Sequence, residues 1–199
     1  MGISERRDRQ RSDRERQIVT VARNIAERDG WGAVTIRRLA DEIEYSQPVL
    51  YSHFENRDAI VASVAIEGFR EIAAVLLEAA RASSGQRHVI EKVAMAYLDF
   101  ALRHPAVYEA MFVLPTKLRF ADAETMPELQ AAFQALAQAV EPYCEEVEAG
   151  TETFWATLHG LTELERSGRI RPGARVERIN LVVEGIIASR QMLNDRRTP

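Results

Sequence analysis

Residues Thr35 to Phe54, TIRRLADEIEYSQPVLYSHF, admit very few arrangements. Ile36, Leu39, Ala40 and Ile43 recur at helical spacing and form one apolar stripe. Thr35 stands where an N-cap belongs, its hydroxyl free to accept an orphan backbone N–H. Glu44 breaks the apolar pattern and ends this first short helix. Ser46 is placed to cap a second one, and Pro48 suits its first turn, where a backbone N–H would have no intrahelical partner. Val49, Leu50 and Phe54 supply apolar contacts, which leaves Gln47, Tyr51, Ser52 and His53 as polar and aromatic surface. A second helix that offers short polar side chains from its N-terminal end has the geometry that enters a DNA major groove.

The rest of the chain extends the helical pattern without a strand signal. The spacing predicts a first helix over about Asp13 to Arg28, closed by Asp29-Gly30, with Ile18, Val21, Ala22 and Ile25 facing inward. Asn56 is placed to cap a long helix from Arg57 to Ala82. Further helices are expected over 87–103, 106–113, 128–148 (with Pro142 kinking or dividing it), 152–167 and 174–195. Phe120 falls in an irregular stretch, and Pro172-Gly173 leads into the last helix. The expected fold is all-α: an N-terminal three-helix domain over 1–58 and a larger helical domain over 59–199.

Charge and composition narrow the chemistry. The apolar fraction is 46% and the charged fraction 28%, the balance of a folded globular chain. No apolar run is long enough for a membrane span, and MGISERRDRQRSDRER has no apolar core of a secretory signal, so a cytoplasmic setting is expected. Cys144 stands alone, which fits the same compartment. The net charge is −4, yet residues 1–58 hold eleven basic and eleven acidic side chains and the remainder carries the whole deficit. Attraction to phosphates then depends on local placement. Arg6, Arg7, Arg9, Arg11, Arg14 and Arg16 precede the first expected core residue; they read as an arm that helps hold DNA or as a solvated tail.

The Thr35, Leu39-Ala40, Ser46, Leu50-Tyr51, His53-Phe54 and Asn56-Arg57-Asp58 positions together resemble the TetR family of one-component bacterial transcriptional regulators. The resemblance is strong over the first third of the chain. Further on, His104-Pro105-Ala106-Val107-Tyr108 and Trp155 with His159-Gly160 resemble one subgroup of the family's regulatory domains. One position departs: the family's usual turn glycine is Glu44 here, so the turn either stores strain or follows another path.

On this reading the recognition helix, about Gln47 to Phe54, lies in the major groove. Gln47 reads base edges, and Pro48 and Val49 offer apolar surface to a thymine methyl. Tyr51 and His53 reach phosphates, and Ser46 and Ser52 belong to the same surface. Thr35, Arg37, Arg38 and Arg57 bracket the backbone. The resemblance implies a homodimer that matches a palindromic operator, and the last two helices are the expected dimer surface. Leu158, Leu161 and Leu164 mark one apolar face, and Val176, Ile179, Val183, Ile186 and Ile187 another; packing inside the subunit is the competing role.

It also implies a small-molecule effector in residues 59–199, lined by Tyr97, Phe100, Tyr108, Met111, Phe112, Phe133, Trp155 and His159, whose default role is core packing. Binding there shifts the long fourth helix and respaces the two recognition helices. No cofactor and no metal site is expected, and no catalytic motif is present: H-E-x-x-H, a glycine-rich phosphate loop and G-x-S-x-G are all absent. The expected function is a ligand-released repressor. The alternative is a helical protein–protein adaptor without DNA binding, suggested by Glu44 and the neutral N-terminal part.

Overall fold

The computed structural model describes residues 2–119, 125–171 and 173–195; Phe120 and Pro172 lie outside the described residues. All regular structure among them is helical. The helices are α1 (Ile3–Asp29), α2 (Ile36–Glu42), α3 (Gln47–Tyr51), α4 (Arg57–Arg81), α5 (Gln86–Arg103), α6 (Pro105–Phe112), α7 (Pro127–Val140), α8 (Val147–Arg166) and α9 (Arg175–Asp195), with single 3-10 turns at Trp31–Ala33 and Glu141–Tyr143. None is long and apolar enough to cross a membrane.

Two boundaries differ from expectation for identifiable reasons, and a third resolves an open alternative. The first helix begins at Ile3 and not near Asp13, because the arginine-rich segment is built of good helix formers and carries an Arg11–Glu15 pair one turn apart. Of the two alternatives expected for 128–148, Pro142 divides the helix: α7 stops at Val140, and Pro142 sits in a 3-10 turn. Gly150, expected to precede the next helix, lies inside α8. Its missing side chain makes room for Cys144, whose sulfur and Cβ occupy the space a Cβ would need.

The chain forms two compact units, residues 1–68 with 104–125 and residues 69–103 with 126–199. The first is built on Ile18, Ala22, Ile25, Trp31, Val34, Leu39 and Leu50, all buried. It also takes in α6. Trp31 Nε1 donates to the Ala106 carbonyl at 2.8 Å, and the Glu27 carboxylate accepts from the Ala106 and Val107 amides at 3.1 and 3.2 Å. Those amides are the orphan donors of the α6 N-terminus, and a carboxylate suits the positive end of a helix. Gly68 on α4 completes the packing: a Cβ there would lie 2.5 Å from Val107 Cγ1 and 2.6 Å from Met111 Sδ.

In the second unit α5 packs against α7, α8 and α9, and α7 packs along α8. Ile90, Tyr97, Phe100, Leu136, Phe154, Leu158, Ile179 and Val183 fill its interior. An ionic knot ties the helices at its edge. The Arg175 guanidinium donates to Glu165 at 2.6 Å and to Asp99 at 2.8 Å, and Arg178 reaches Glu165 at 3.4 Å. The Arg175 contact holds the Glu165 carboxyl below the usual glutamate range despite its burial.

Candidate functional site

The α2–turn–α3 segment is the candidate site. Thr35 caps α2, its Oγ1 accepting from the Arg38 amide at 3.1 Å. Leu39 and Ala40 are buried beneath it, and Ile43 closes the helix. Glu44 takes φ +57°, so the turn keeps the left-handed conformation that glycine adopts without cost, and does so with a side chain. The geometry of the turn is retained, and some strain goes with it. Ser46 occupies the N-cap position of α3 through its backbone alone; its hydroxyl makes no cap bond and stays exposed. The carbonyl of Ser46 accepts from the Val49 and Leu50 amides at 3.0 and 3.3 Å.

Leu50 is the inner anchor of α3, fully buried, while Gln47, Pro48, Tyr51 and Ser52 are exposed and Val49 half-buried. Tyr51 keeps 53% of its surface in solvent, an unusual exposure for a large aromatic on a helix this well anchored. The helix is shorter than the expected Gln47–Phe54. After Tyr51 the Ser52 hydroxyl donates back to the Val49 carbonyl at 2.6 Å, and the His53 and Phe54 amides both fold onto the Leu50 carbonyl.

Two residues expected to touch phosphates have partners within the chain. The His53 side chain is only 6% exposed, and its Nδ1 lies 3.4 Å from Glu15 on α1. Arg57 donates to the Val34 carbonyl at 2.8 Å and to the Trp31 carbonyl at 2.6 Å. It satisfies the connection between α1 and α2, so it braces that connection from behind. Arg38 is paired with Asp29, which Arg28 and Arg38 together hold below the usual aspartate range. Arg37 is exposed and, among the described residues, has no acidic partner.

The expected effector residues fall in both units. Tyr108, Met111 and Phe112 lie on α6 in the first, where Tyr108 and Met111 are buried and the Tyr108 and Phe112 rings stand 4.8 Å apart. Tyr97, Phe100, Phe133, Trp155 and His159 lie in the second. There Trp155 Nε1 donates to the Tyr97 hydroxyl at 3.0 Å. His159 follows Trp155 by one helical turn on α8. Burial pushes its imidazole below the ordinary histidine range, which favours the neutral ring. No group of carboxylates, histidines and cysteine suited to a metal ion occurs among the described residues.

Residues 18–64 match the model of the bacterial regulatory proteins of the tetR family, and residues 90–184 match the tetracyclin repressor-like C-terminal domain. The chain belongs to the TetR family. It is 29% identical over 96 residues to the uncharacterized HTH-type transcriptional regulator YobS of Bacillus subtilis, a match covering 48% of this chain and half the length of that relative. An uncharacterized HTH-type regulator of Mycobacterium tuberculosis is 27% identical over 154 residues, 76% of this chain and 69% of that protein. Among solved structures, a Rhodococcus protein of unknown function superposes with TM-score 0.72 at 22% identity, covering 88% and 94% of the two chains. BioQ with its double-stranded DNA operator gives 0.64 at 23% identity, covering 87% and 98%. RolR with resorcinol gives 0.65 at 15% identity, covering 96% and 97%. At these identities the likeness of the structures is one of fold.

As a TetR-family chain it carries helix-turn-helix residues that sequence reasoning located and bracing residues that it missed. Glu27, Arg23 and Gly68 gave no local signal, since their partners on α6 or at its N-cap lie some 40 to 80 positions away in the chain. The expected dimer faces also need correction. Leu158, Ile179 and Val183 are buried inside the second unit. What stays outside is Leu164, Val176 and Leu181, with Leu161, Ile186 and Ile187 half-buried. Gly160 and Gly185 have nothing within 4 Å of where a Cβ would stand.

Proposed function

We propose that this TetR-family chain is a homodimeric repressor that occupies a palindromic operator and leaves it when a small, largely apolar molecule binds. The observation that carries the DNA reading is α3: Leu50 is sunk into the core while Ser46, Gln47, Pro48 and Tyr51 project outward. Gln47 reads a base edge, Pro48 and Val49 meet a thymine methyl, and Tyr51, Ser52, Thr35 and Arg37 hold phosphates. The complex of BioQ with its operator supports this use of the fold. The adaptor alternative loses one of its two supports, because Glu44 preserves the left-handed turn.

Two copies are required to present two recognition helices about one helical turn of DNA apart. The outer faces of α8 and α9, with Leu181 74% exposed, supply the apolar surface for an isologous four-helix contact. The effector site is assigned to the second unit, around Tyr97, Phe100, Phe133, Trp155 and His159. A neutral His159 and the Trp155–Tyr97 hydrogen bond offer few polar contacts among aromatic walls, which suits an uncharged aromatic or aliphatic ligand. The complex of RolR with resorcinol supports a ligand of that class. Release follows from linkage: the ligand favours the DNA-incompetent dimer by its differential affinity and by no more.

The test is selection from a random duplex pool by the full-length protein. Two-fold-symmetric sites are expected, and an aromatic compound library should contain members that release them. Enrichment of no sequence would overturn the reading.

A further inference from the structure

We propose that the first four turns of α1, Ile3–Arg16, are a second DNA-contacting element, whose Arg7, Arg11 and Arg14 lie along the phosphate backbone beside the segment that α3 reads. The inference rests on the DNA reading above and adds a surface to it. Among residues 2–14 every described side chain is exposed, so none of them belongs to the core. A helix without tertiary packing is marginal in water and calls for a partner.

The stripe is specific. Arg7, Arg11, Arg14 and Ile18 follow one another at spacings of four, three and four, so they share one face. Ile18 is fully buried in the first unit, which points that face toward the reader. Arg11 confirms the direction: its Nη2 donates to the Ser52 carbonyl at the end of α3, at 3.4 Å. Its Nε donates to Glu15 at 2.9 Å, and Glu15 in turn meets His53. This chain fixes the arm to the recognition helix.

Each acid of the arm is already engaged. Glu5 accepts from the Gly2 amide, Asp8 from Ser4, Asp13 pairs with Arg16, and Glu15 serves Arg11 and His53. Among the described residues neither Arg7 nor Arg14 has an acidic partner. Glu5 and Asp13 fall on the opposite face, so the near-neutral arm presents its positive charge to one side. At about 1.5 Å per residue, the row spans roughly 10 Å, enough to follow successive phosphates. Guanidinium groups suit phosphate oxygens, and such contacts carry no sequence information.

The experiment compares full-length wild type with Arg7→Ala/Arg14→Ala and, as a control of equal charge loss, Arg6→Ala/Arg16→Ala. Arg11 is left intact so that its contact with α3 survives. Binding to a selected duplex and to a mixed-sequence duplex is followed over a series of salt concentrations. The inner pair is expected to weaken both duplexes roughly tenfold at low salt and to reduce the slope of log K against log salt by about two per protomer. The outer pair should change the slope far less. On adding DNA, amide exchange across residues 5–14 should slow in the wild type. Equal effects of the two pairs, or none from the inner pair, would overturn the arm while leaving the α3 reading intact. Failure of the wild type to bind either duplex would remove both.

Discussion

Glu44 shows how a single residue can depart from a family pattern without changing its geometry. A non-glycine residue in the left-handed region costs about 1–2 kcal/mol, and Glu44 sits there at φ +57°. Glu44→Gly is therefore expected to raise the unfolding free energy by about 1 kcal/mol, partly offset by the entropy glycine adds to the unfolded chain. Denaturant unfolding checks this; no gain would show that the surrounding turn pays no strain. Arg57 illustrates the reverse case, a residue whose place is legible and whose role is not. Position in the motif suggested a phosphate contact, while its two carbonyl partners lie more than twenty residues earlier in the chain. Arg57→Ala should cost about 2 kcal/mol of stability by orphaning both carbonyls, and DNA affinity should fall only as far as the reader unfolds. A thermally unchanged protein with lost DNA binding would restore the phosphate role.

Elements were legible wherever apolar spacing and caps agreed. Thr35 and Asn56 cap as their types suggest, and the inner face of α1 is the one that Ile18, Ala22 and Ile25 mark. Boundaries failed where tertiary contacts decided. Gly150 reads as a helix breaker, yet it is there to admit Cys144; the arginine run carries no apolar period, yet it is helical. The Glu165 knot was invisible because it joins three helices: Glu165 on α8, Arg175 and Arg178 on α9, and Asp99 on α5. Its pH behaviour follows from the depressed Glu165 carboxyl. The stabilisation is complete above the ordinary glutamate value of about 4.3 and is lost as the pH falls through the lower folded-state value. Glu165→Gln should destabilise by about 2 kcal/mol near neutrality and converge with the wild type in acid. A difference that persists unchanged at low pH would show that the carboxylate charge is not its source.

At the scale of the whole molecule, the proposed repressor uses two copies, because a single recognition helix of this size binds DNA weakly. Leu181 is the most exposed large apolar side chain described, and burying a leucine fully is worth about 1.5–3 kcal/mol. In a two-fold interface each substitution counts twice. Leu181→Glu is expected to yield monomer in sedimentation with an intact helical spectrum, and to bind half-sites without cooperativity. A dimer that survives this change would place the interface elsewhere. The apolar faces of α8 and α9 were legible in outline from helical spacing, but spacing alone could not divide these helices into inner and outer faces. Leu158 and Val183 are buried on the helices that α5 packs against, α8 and α9.

The central claim is that the exposed edge of α3 reads DNA, and Tyr51 isolates it best, since its removal leaves the core untouched. The measurement is the affinity of wild type and Tyr51→Ala for a duplex selected by the wild type, with thermal unfolding of both. The account predicts a loss of tenfold or more, about 1.4 kcal/mol, with stability unchanged within about 0.5 kcal/mol. Equal affinity of the two proteins for that duplex would contradict it.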